Sequence, residues 1–314
     1  MTEAVLLLMH QGKSFTEEAA AAVARHGLSL VALSSCPAKP DVLDQSTPHL
    51  ADWLVTERPR LGPEDLAGVV AAFAGRGHAV RAALATFEGY RLLMAELNRE
   101  LGARDSSPAA LRLCLNKYEL RRFLGRRGLS AVRCHRLRPA ERPRLDPAIT
   151  WFVKPVRGAA SFAAFVLRDL AALDDLPQLQ QQMKSDARMA AIFMDEYDFL
   201  VEEYVDGPEF SFETVVLGDA HHIAVHEKAR VERLDRTTLE VMSISPPLAV
   251  SGDVLLAGAD FVSRCLRECG LTAGAFHVEA KYWTARERWE IVEINPRMGG
   301  SLINASVEAL TGSS

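Results

Sequence analysis

The chain has few cysteines: five among 314 residues, an odd number, at Cys36, Cys114, Cys134, Cys265 and Cys269. None forms a Cys-x-x-Cys pair or stands near a histidine at zinc-binding spacing, which argues against a disulfide framework and a structural zinc site. Cys265 and Cys269 are four apart and share one helix face, where buried small apolar side chains are the plain account. Long apolar runs are missing too. The one at Met1–Met9 follows the acidic Glu3 and lasts about six residues, too short for a signal peptide or a membrane span. The expected setting is the cytoplasm, with no membrane partner. No positive excess exists either: net charge is −5, both signs are interspersed, and aromatics make up 7% of the chain. Without a basic stripe carrying aromatics, no nucleic-acid partner is expected.

What is present is ordinary globular material, 48% hydrophobic and 25% charged. A chain this long buries roughly three quarters of its unfolded surface, so packing alone can hold the fold. Val5–Met9 reads as a short apolar strand, then a loop, a helix of the Glu17–Arg25 type and a second strand at Leu28–Leu33, a β-α-β opening. The loop Gln11-Gly12-Lys13-Ser14 imitates the end of a phosphate-binding P-loop. The first glycine of that motif would fall at Leu7, so the P-loop is rejected, leaving a turn with Ser14 or Thr16 capping the helix. Pro63–Leu101 suits helices and one strand; Arg104–Pro108 breaks the pattern, and helical periodicity resumes at Ala109–Leu124. A boundary is placed at residue 108. Gly128 ends the helix, Pro139–Pro147 reads as an exposed connection, and the chain then turns strand-rich.

Phe276–Arg297 is the most informative stretch. Phe276, Val278, Ala280 and Tyr282 alternate with His277, Glu279 and Lys281, a half-buried strand, and Trp289–Pro296 supplies its partner. A turn centred on Arg286 sets Trp283 against Trp289, Glu279 against Glu293 and His277 against Asn295. Directly opposed carboxylates about 5 Å apart repel unless something neutralises them. The oxygen ligands of Glu279, Glu293 and Asn295 suit Mg²⁺ or Mn²⁺ and disfavour zinc. A solvated sheet face flanked by Lys281 and Arg297 accounts for the same spacing equally well.

Phe276-His277-Val278-Glu279, followed by Glu293-Ile294-Asn295-Pro296-Arg297-Met298-Gly299-Gly300, resembles the metal-binding end of the ATP-grasp superfamily, above all its carboxylate-amine ligases of the L-amino acid ligase, dipeptide-synthetase type. Upstream blocks follow in the family's order: Asn116-Lys117-Tyr118, Phe152-Val153-Lys154-Pro155 with Arg157-Gly158-Ala159-Ala160-Ser161, and Val201-Glu202-Glu203-Tyr204-Val205-Asp206-Gly207-Pro208-Glu209. The blocks cover roughly residues 105 to 312; the first hundred residues match only as an α/β preface.

The resemblance implies an α/β chain, α+β in its ATP-grasp part. A Rossmann-like pre-ATP-grasp domain occupies 1–108, a helical linker 109–149, a small mobile lid 150–204, and a C-terminal lobe with the metal site 205–314. ATP and Mg²⁺ (or Mn²⁺) are the implied cofactors. Lys117 and Lys154 would meet the phosphates, with the loop at Gly158, Ala159 and Ser161 turning N–H groups toward them. The hinge strand Glu202, Glu203, Tyr204 and Val205 would pair with and wall the adenine, and Glu209 would reach the ribose. Glu213, on the same strand face as Glu209 and Ser211, is expected to be solvated. Glu279, Glu293 and Asn295 would hold the metal. Arg297 would stabilise the substrate carboxylate and later the tetrahedral oxyanion, and Lys228 would stand at the substrate pocket.

The implied reaction makes an acyl phosphate and then an amide, joining a small carboxylate to an amine, amino acids or their derivatives, as in biosynthesis. An ATP-grasp carboxylase or formyl-phosphate transferase, or a regulatory module that binds ATP without turnover, shares the same nucleotide residues. His221, His222 and His226 read as a surface hairpin, because His221 and His222 point to opposite sides of any strand. The resemblance admits a homodimer. The family usually continues beyond the metal block, so an ending at Ser314 reads as either a truncated form or a natural member with a reduced end.

Overall fold

The computed structural model describes residues 1–37, 39, 41–186, 189–233, 236–300 and 303–312; Ser313 and Ser314, the end of the chain, lie outside the described residues. The chain divides into two units, Met1–Pro108 and Ala109–Ser314.

In the first unit, strands β1 (Thr2–Met9), β2 (Ser29–Ser34), β3 (Asp52–Val55) and β4 (His78–Leu84) form a parallel sheet in the order β3-β2-β1-β4. β1 takes a central place because it is apolar on both faces: Leu6, Leu7, Leu8 and Met9 are fully buried. The expected helix runs Thr16–Ala24, but its N-cap is Phe15 and no side chain caps it. Ser14 instead bonds Thr86 Oγ1 at 2.9 Å. The P-loop-like turn is held from the next strand, where Ser35 and Ser34 hydroxyls accept the Gln11 and Gly12 N–H groups at 2.8 and 2.9 Å.

The second unit holds two sheets. β5 (Cys134–Leu137), β6 (Trp151–Pro155), β7 (Phe165–Leu167) and β8 (Phe199–Glu203) pair antiparallel in the order β5-β8-β6-β7. Their core is Leu137, Trp151, Val153, Phe165, Leu173, Leu176, Phe193, Phe199 and Val201. The larger sheet comprises β9 (Glu209–Leu217), β10 (Ala220–Arg233), β11 (Thr238–Ile244), β12 (Ala273–Trp283) and β13 (Arg288–Asn295), ordered β11-β10-β9-β12-β13. The helical stretch expected at 109–124 is broken at Asn116, whose side chain accepts the Glu119 N–H at 3.0 Å and caps a second helix, Lys117–Arg126. The break brings the Lys117 N–H onto the Val156 carbonyl at the end of β6, 2.9 Å away.

The larger sheet is two-faced. Phe210, Phe212, Phe276, Val278 and Ala280 are buried on one face, against the helix Gly252–Glu268. That helix starts at Ser251, whose hydroxyl accepts the Val254 N–H, and ends in a glycine turn at Gly270, with the Leu271 N–H on the Leu266 carbonyl at 3.0 Å and Gly270 N–H on Arg267 at 2.9 Å. Gly258 lets Trp289 approach: a Cβ there would lie 2.6 Å from the indole ring. The register sets Glu279 against Glu293 and His277 against Asn295, as the sequence predicts. Trp283, however, faces Arg288, and Trp289 faces Tyr282. A bulge between the two halves of the ladder causes the slip: Val292 is an extra residue between Glu293, opposite Glu279, and Ile291, opposite Ala280. Among the described residues no helix is long and apolar enough to cross a membrane.

Candidate active site

The other face of the larger sheet is a polar floor dictated by alternation and register. Glu213 pairs with His277 and His277 with Asn295; Ser211 pairs with His226 and Glu279, and Glu279 with Glu293; Glu209 pairs with Lys281. Because side chains alternate along each strand, all of these point to one side. Glu213 is therefore not solvated as expected. It is 9% exposed, bonds His277 Nδ1 at 2.6 Å, and accepts the Gly299 N–H at 3.2 Å. His226 is likewise not on the surface: it is 2% exposed, with Nε2 2.8 Å from Ser306 Oγ, and burial lowers its pKa. His222 is exposed.

The carboxylates proposed for the metal are ionised and ion-paired. Lys117 Nζ lies 2.9 Å from Glu293 Oε2, and Lys228 Nζ lies 2.8 Å from Glu279 Oε1. Burial pushes the Glu293 carboxyl up, but Lys117, helped by the Asn295 amide, brings it below the usual carboxylate range against the neighbouring Glu279. Burial also opposes ionisation of Glu279, yet Lys228 and His277 hold it well below that range. His277 runs the other way: burial lowers its pKa, hydrogen bonds to Glu213 and Glu279 outweigh burial, and the result is about 10, an imidazolium at neutral pH. Asn295 donates Nδ2 to Glu293 Oε1 at 2.8 Å, so its amide oxygen is the atom it could offer a cation. This donor set, two ionised carboxylates and an amide oxygen, fits Mg²⁺ or Mn²⁺. Among the described residues no group of three or more His, Cys, Asp or Glu is arranged for a metal.

A cavity of about 270 Å³ opens between the two sheets of this unit. Phe152, Lys154 and Glu202–Val205 wall it from the smaller sheet, and Glu209, Lys228, Lys281 and Val292 from the larger. Phe152 and Tyr204 rings stack 6.0 Å apart. Lys281 donates to the Val205 carbonyl at 3.0 Å and stands 4.5 Å over the Tyr204 ring. Lys228 is 2.8 Å from Glu209 Oε1. The anion opposite Lys154 is a protein carboxylate, Glu202 Oε1 at 2.8 Å, and Lys154 also donates to the Val292 carbonyl at 3.0 Å. The bulge makes that carbonyl available, since a bulged residue leaves the ladder. Glu202 itself sits mid-sheet, in register with both Cys134 and Phe152, so its backbone serves the sheet rather than a ligand.

The loop after β6 differs from expectation. Gly158 does not need glycine's left-handed freedom; its carbonyl accepts Lys117 Nζ at 2.9 Å. The left-handed residues are Ala160, Ser161 and Ala163, non-glycine strain of the kind that gathers at functional loops. Thr237 Oγ1 holds the Ser161 carbonyl at 2.9 Å, and the Ala159 carbonyl accepts the Phe162 N–H. Arg297 follows β13, its N–H on the Asn295 carbonyl at 2.8 Å and its guanidinium on the Met298 carbonyl at 2.9 Å.

Sequence reasoning missed Arg121. Its guanidinium, 4% exposed, reaches Glu202 at 2.8 Å, Glu290 at 3.4 Å and the Ile291 carbonyl at 2.5 Å, tying both sheets to the Lys117–Arg126 helix. Arg121 is one of three arginines in that amphipathic helix, and nothing in the spacing singles it out for burial. His277 and Lys281 were legible: at a spacing of two they share one strand face with Glu279.

Comparison with known proteins agrees with this layout. Carnosine synthase 1 of Homo sapiens is 28% identical over 234 residues, 70% of this chain and 28% of that protein. The chain thus spans little more than a quarter of that curated relative's length. The L-amino acid ligase from Bacillus licheniformis superposes with a TM-score of 0.76 at 18% identity, over 98% of this chain and 71% of that one. A biotin carboxylase–beta-gamma-ATP complex from Campylobacter jejuni gives 0.72 at 12% identity, over 98% and 68%. Residues 148–305, half of the chain, match the ATP-grasp domain family, and they contain the larger sheet, strands β6 to β8 of the smaller one, and the paired glutamates. The chain belongs to the ATP-grasp family.

Proposed function

We propose that the chain is an ATP-dependent ligase that converts a small carboxylate to its acyl phosphate and couples it to an amine. The observation that carries this reading is Glu279 and Glu293 side by side, ionised, at the edge of a lysine-rich cavity whose other wall is the aromatic hinge. In this reading the adenine lies against the wall formed by Phe152 and Tyr204, and Glu209 takes the ribose hydroxyls. Lys117, Lys154 and the Gly158–Ser161 loop face the phosphates. Glu279, Glu293 and the Asn295 oxygen would hold Mg²⁺, which when bound neutralises phosphate charge and orients the triphosphate.

A carboxylate oxygen attacks the γ-phosphorus and ADP leaves; the amine nitrogen then attacks the acyl carbon, phosphate leaves, and the nitrogen gives up a proton to solvent. Arg297 pairs with the carboxylate and then with the tetrahedral oxyanion, and Lys228, which lines the same cavity, stands between the phosphates and the substrate pocket. No protein nucleophile is needed. Residues 150–204 act as the lid that keeps water from the acyl phosphate. Amino acids or small molecules derived from them are the proposed substrates, in keeping with the resemblance to an L-amino acid ligase. Five unpaired thiols fit a reducing cytoplasm.

The test is ADP release measured over panels of carboxylates and amines. Release that needs one of each supports the ligase. Release with bicarbonate or formate alone would transfer the chain to the carboxylase or formyl-phosphate reading, and ATP binding with no stimulated release would make it a regulatory module. Glu293→Gln is expected to lower Mg²⁺-dependent turnover by at least about a hundredfold while the melting temperature stays near wild type.

A further inference from the structure

Each carboxylate assigned above to the cation already holds a lysine. Lys117 bridges Glu293 Oε2 and the Gly158 carbonyl, both at 2.9 Å. Lys228 bridges Glu279 Oε1 and Glu209 Oε1, both at 2.8 Å, and His277 Nε2 lies 3.2 Å from the same Glu279 oxygen. The two lysine side chains are 10% and 7% exposed, so little water screens these pairs. An ammonium group and a hard divalent cation compete for the same carboxylate oxygens. In a site poor in water the two charges cannot share them without strong repulsion.

We infer that Lys117 and Lys228 are internal counter-ions that keep the cation site shut until a triphosphate enters. This rests on the metal-binding reading of Glu279 and Glu293. Competition for the same oxygens carries the step. Lys117 holds Glu293, and Lys228 is shared by Glu209 and Glu279, with Glu240 3.5 Å away. A divalent cation arriving alone would have to displace these ammonium groups with no other anion to receive them. Arriving with a triphosphate it does not, because the phosphates draw the two ammonium groups off the carboxylates and satisfy them. The Gly158 carbonyl, released by Lys117 in the same exchange, belongs to the loop proposed to face those phosphates. The buried Ser211 hydroxyl stands in register with Glu279 and has no hydrogen-bond partner, so it can receive that carboxylate when Lys228 departs. The lysines thereby have two successive anions, first carboxylate and then phosphate, and the metal follows the nucleotide instead of preceding it.

The test uses Mn²⁺ as the probe, its free concentration read by electron paramagnetic resonance, on the full chain with and without a non-hydrolysable ATP analogue. The wild type should bind Mn²⁺ well only with the analogue. Lys117→Met and Lys228→Met, tested singly and together and each checked for folding by circular dichroism, should bind Mn²⁺ without nucleotide at least about tenfold more tightly than wild type, the factor gained when a competent state rises from a tenth of the population. Nucleotide-free affinities within about twofold of wild type for every folded variant would overturn the inference while leaving the metal site standing. Mn²⁺ binding with the analogue that survives Glu293→Gln would instead remove the metal reading itself, and the inference with it.

Discussion

Single residues show where this chain has no latitude. Gly207, in the hinge, has φ of 140°, and a Cβ placed there would lie 2.0 Å from the Tyr282 carbonyl oxygen. The hinge is held to β12 at that point, with the Tyr282 N–H on the Pro208 carbonyl at 3.1 Å. A side chain must push the hinge off the strand. Gly207→Ala is therefore expected to cost about 2 kcal/mol or more, visible as a lower melting temperature in a thermal scan. The change from solvated to buried at Glu213 and His226 belongs to this scale too. Alternation correctly gives both a polar face, but whether that face meets water depends on the Gly299 loop and the Ile303–Thr311 helix above it.

At the scale of elements, Arg121 is the joint of the second unit. One guanidinium serves Glu202 in the smaller sheet, Glu290 in the larger, and the Ile291 carbonyl next to the bulge. Burial opposes the ionised Glu202, and Arg121 and Lys154 together hold its pKa below the ordinary value. Removing the guanidinium leaves two buried carboxylates short of a partner. Arg121→Met is expected to destabilise the fold by about 3 kcal/mol or more in urea titration, the scale of a broken buried ion pair. It should also weaken ATP-analogue binding, since Glu202 and Val292 position Lys154. The bulge at Val292 works in the same way. It shifts the outer hairpin by one residue, which is why the Trp283–Trp289 pairing fails while Glu279 still faces Glu293, and it turns a carbonyl toward Lys154.

At the scale of the molecule, the cavity lies between two separately built sheets of one unit. Its hinge wall is attached to a small sheet with its own core around Phe165, Phe193 and Phe199. If that sheet is the lid, ATP analogue with Mg²⁺ should slow amide exchange in residues 150–204 by about tenfold or more while leaving β1–β4 unchanged. Equal exchange in both states would dismiss the lid.

Much of this was written in the order of residues. Alternation alone set Glu279, His277 and Lys281 on one face, hairpin pairing set Glu293 and Asn295 opposite them, and four ordered blocks pointed to the ATP-grasp family. These are local facts, carried by a period of two and by spacing along the chain. The sequence could not say what counter-charge each group would meet. Lys154 meeting Glu202, Lys117 meeting Glu293, Lys228 meeting Glu279 and Arg121 spanning the sheets are contacts between residues 48 to 176 positions apart, decided by how helices and sheets pack. Only the tertiary structure decides them, because electrostatic partnership depends on distance and burial in space, and neither is encoded in the neighbours along the chain.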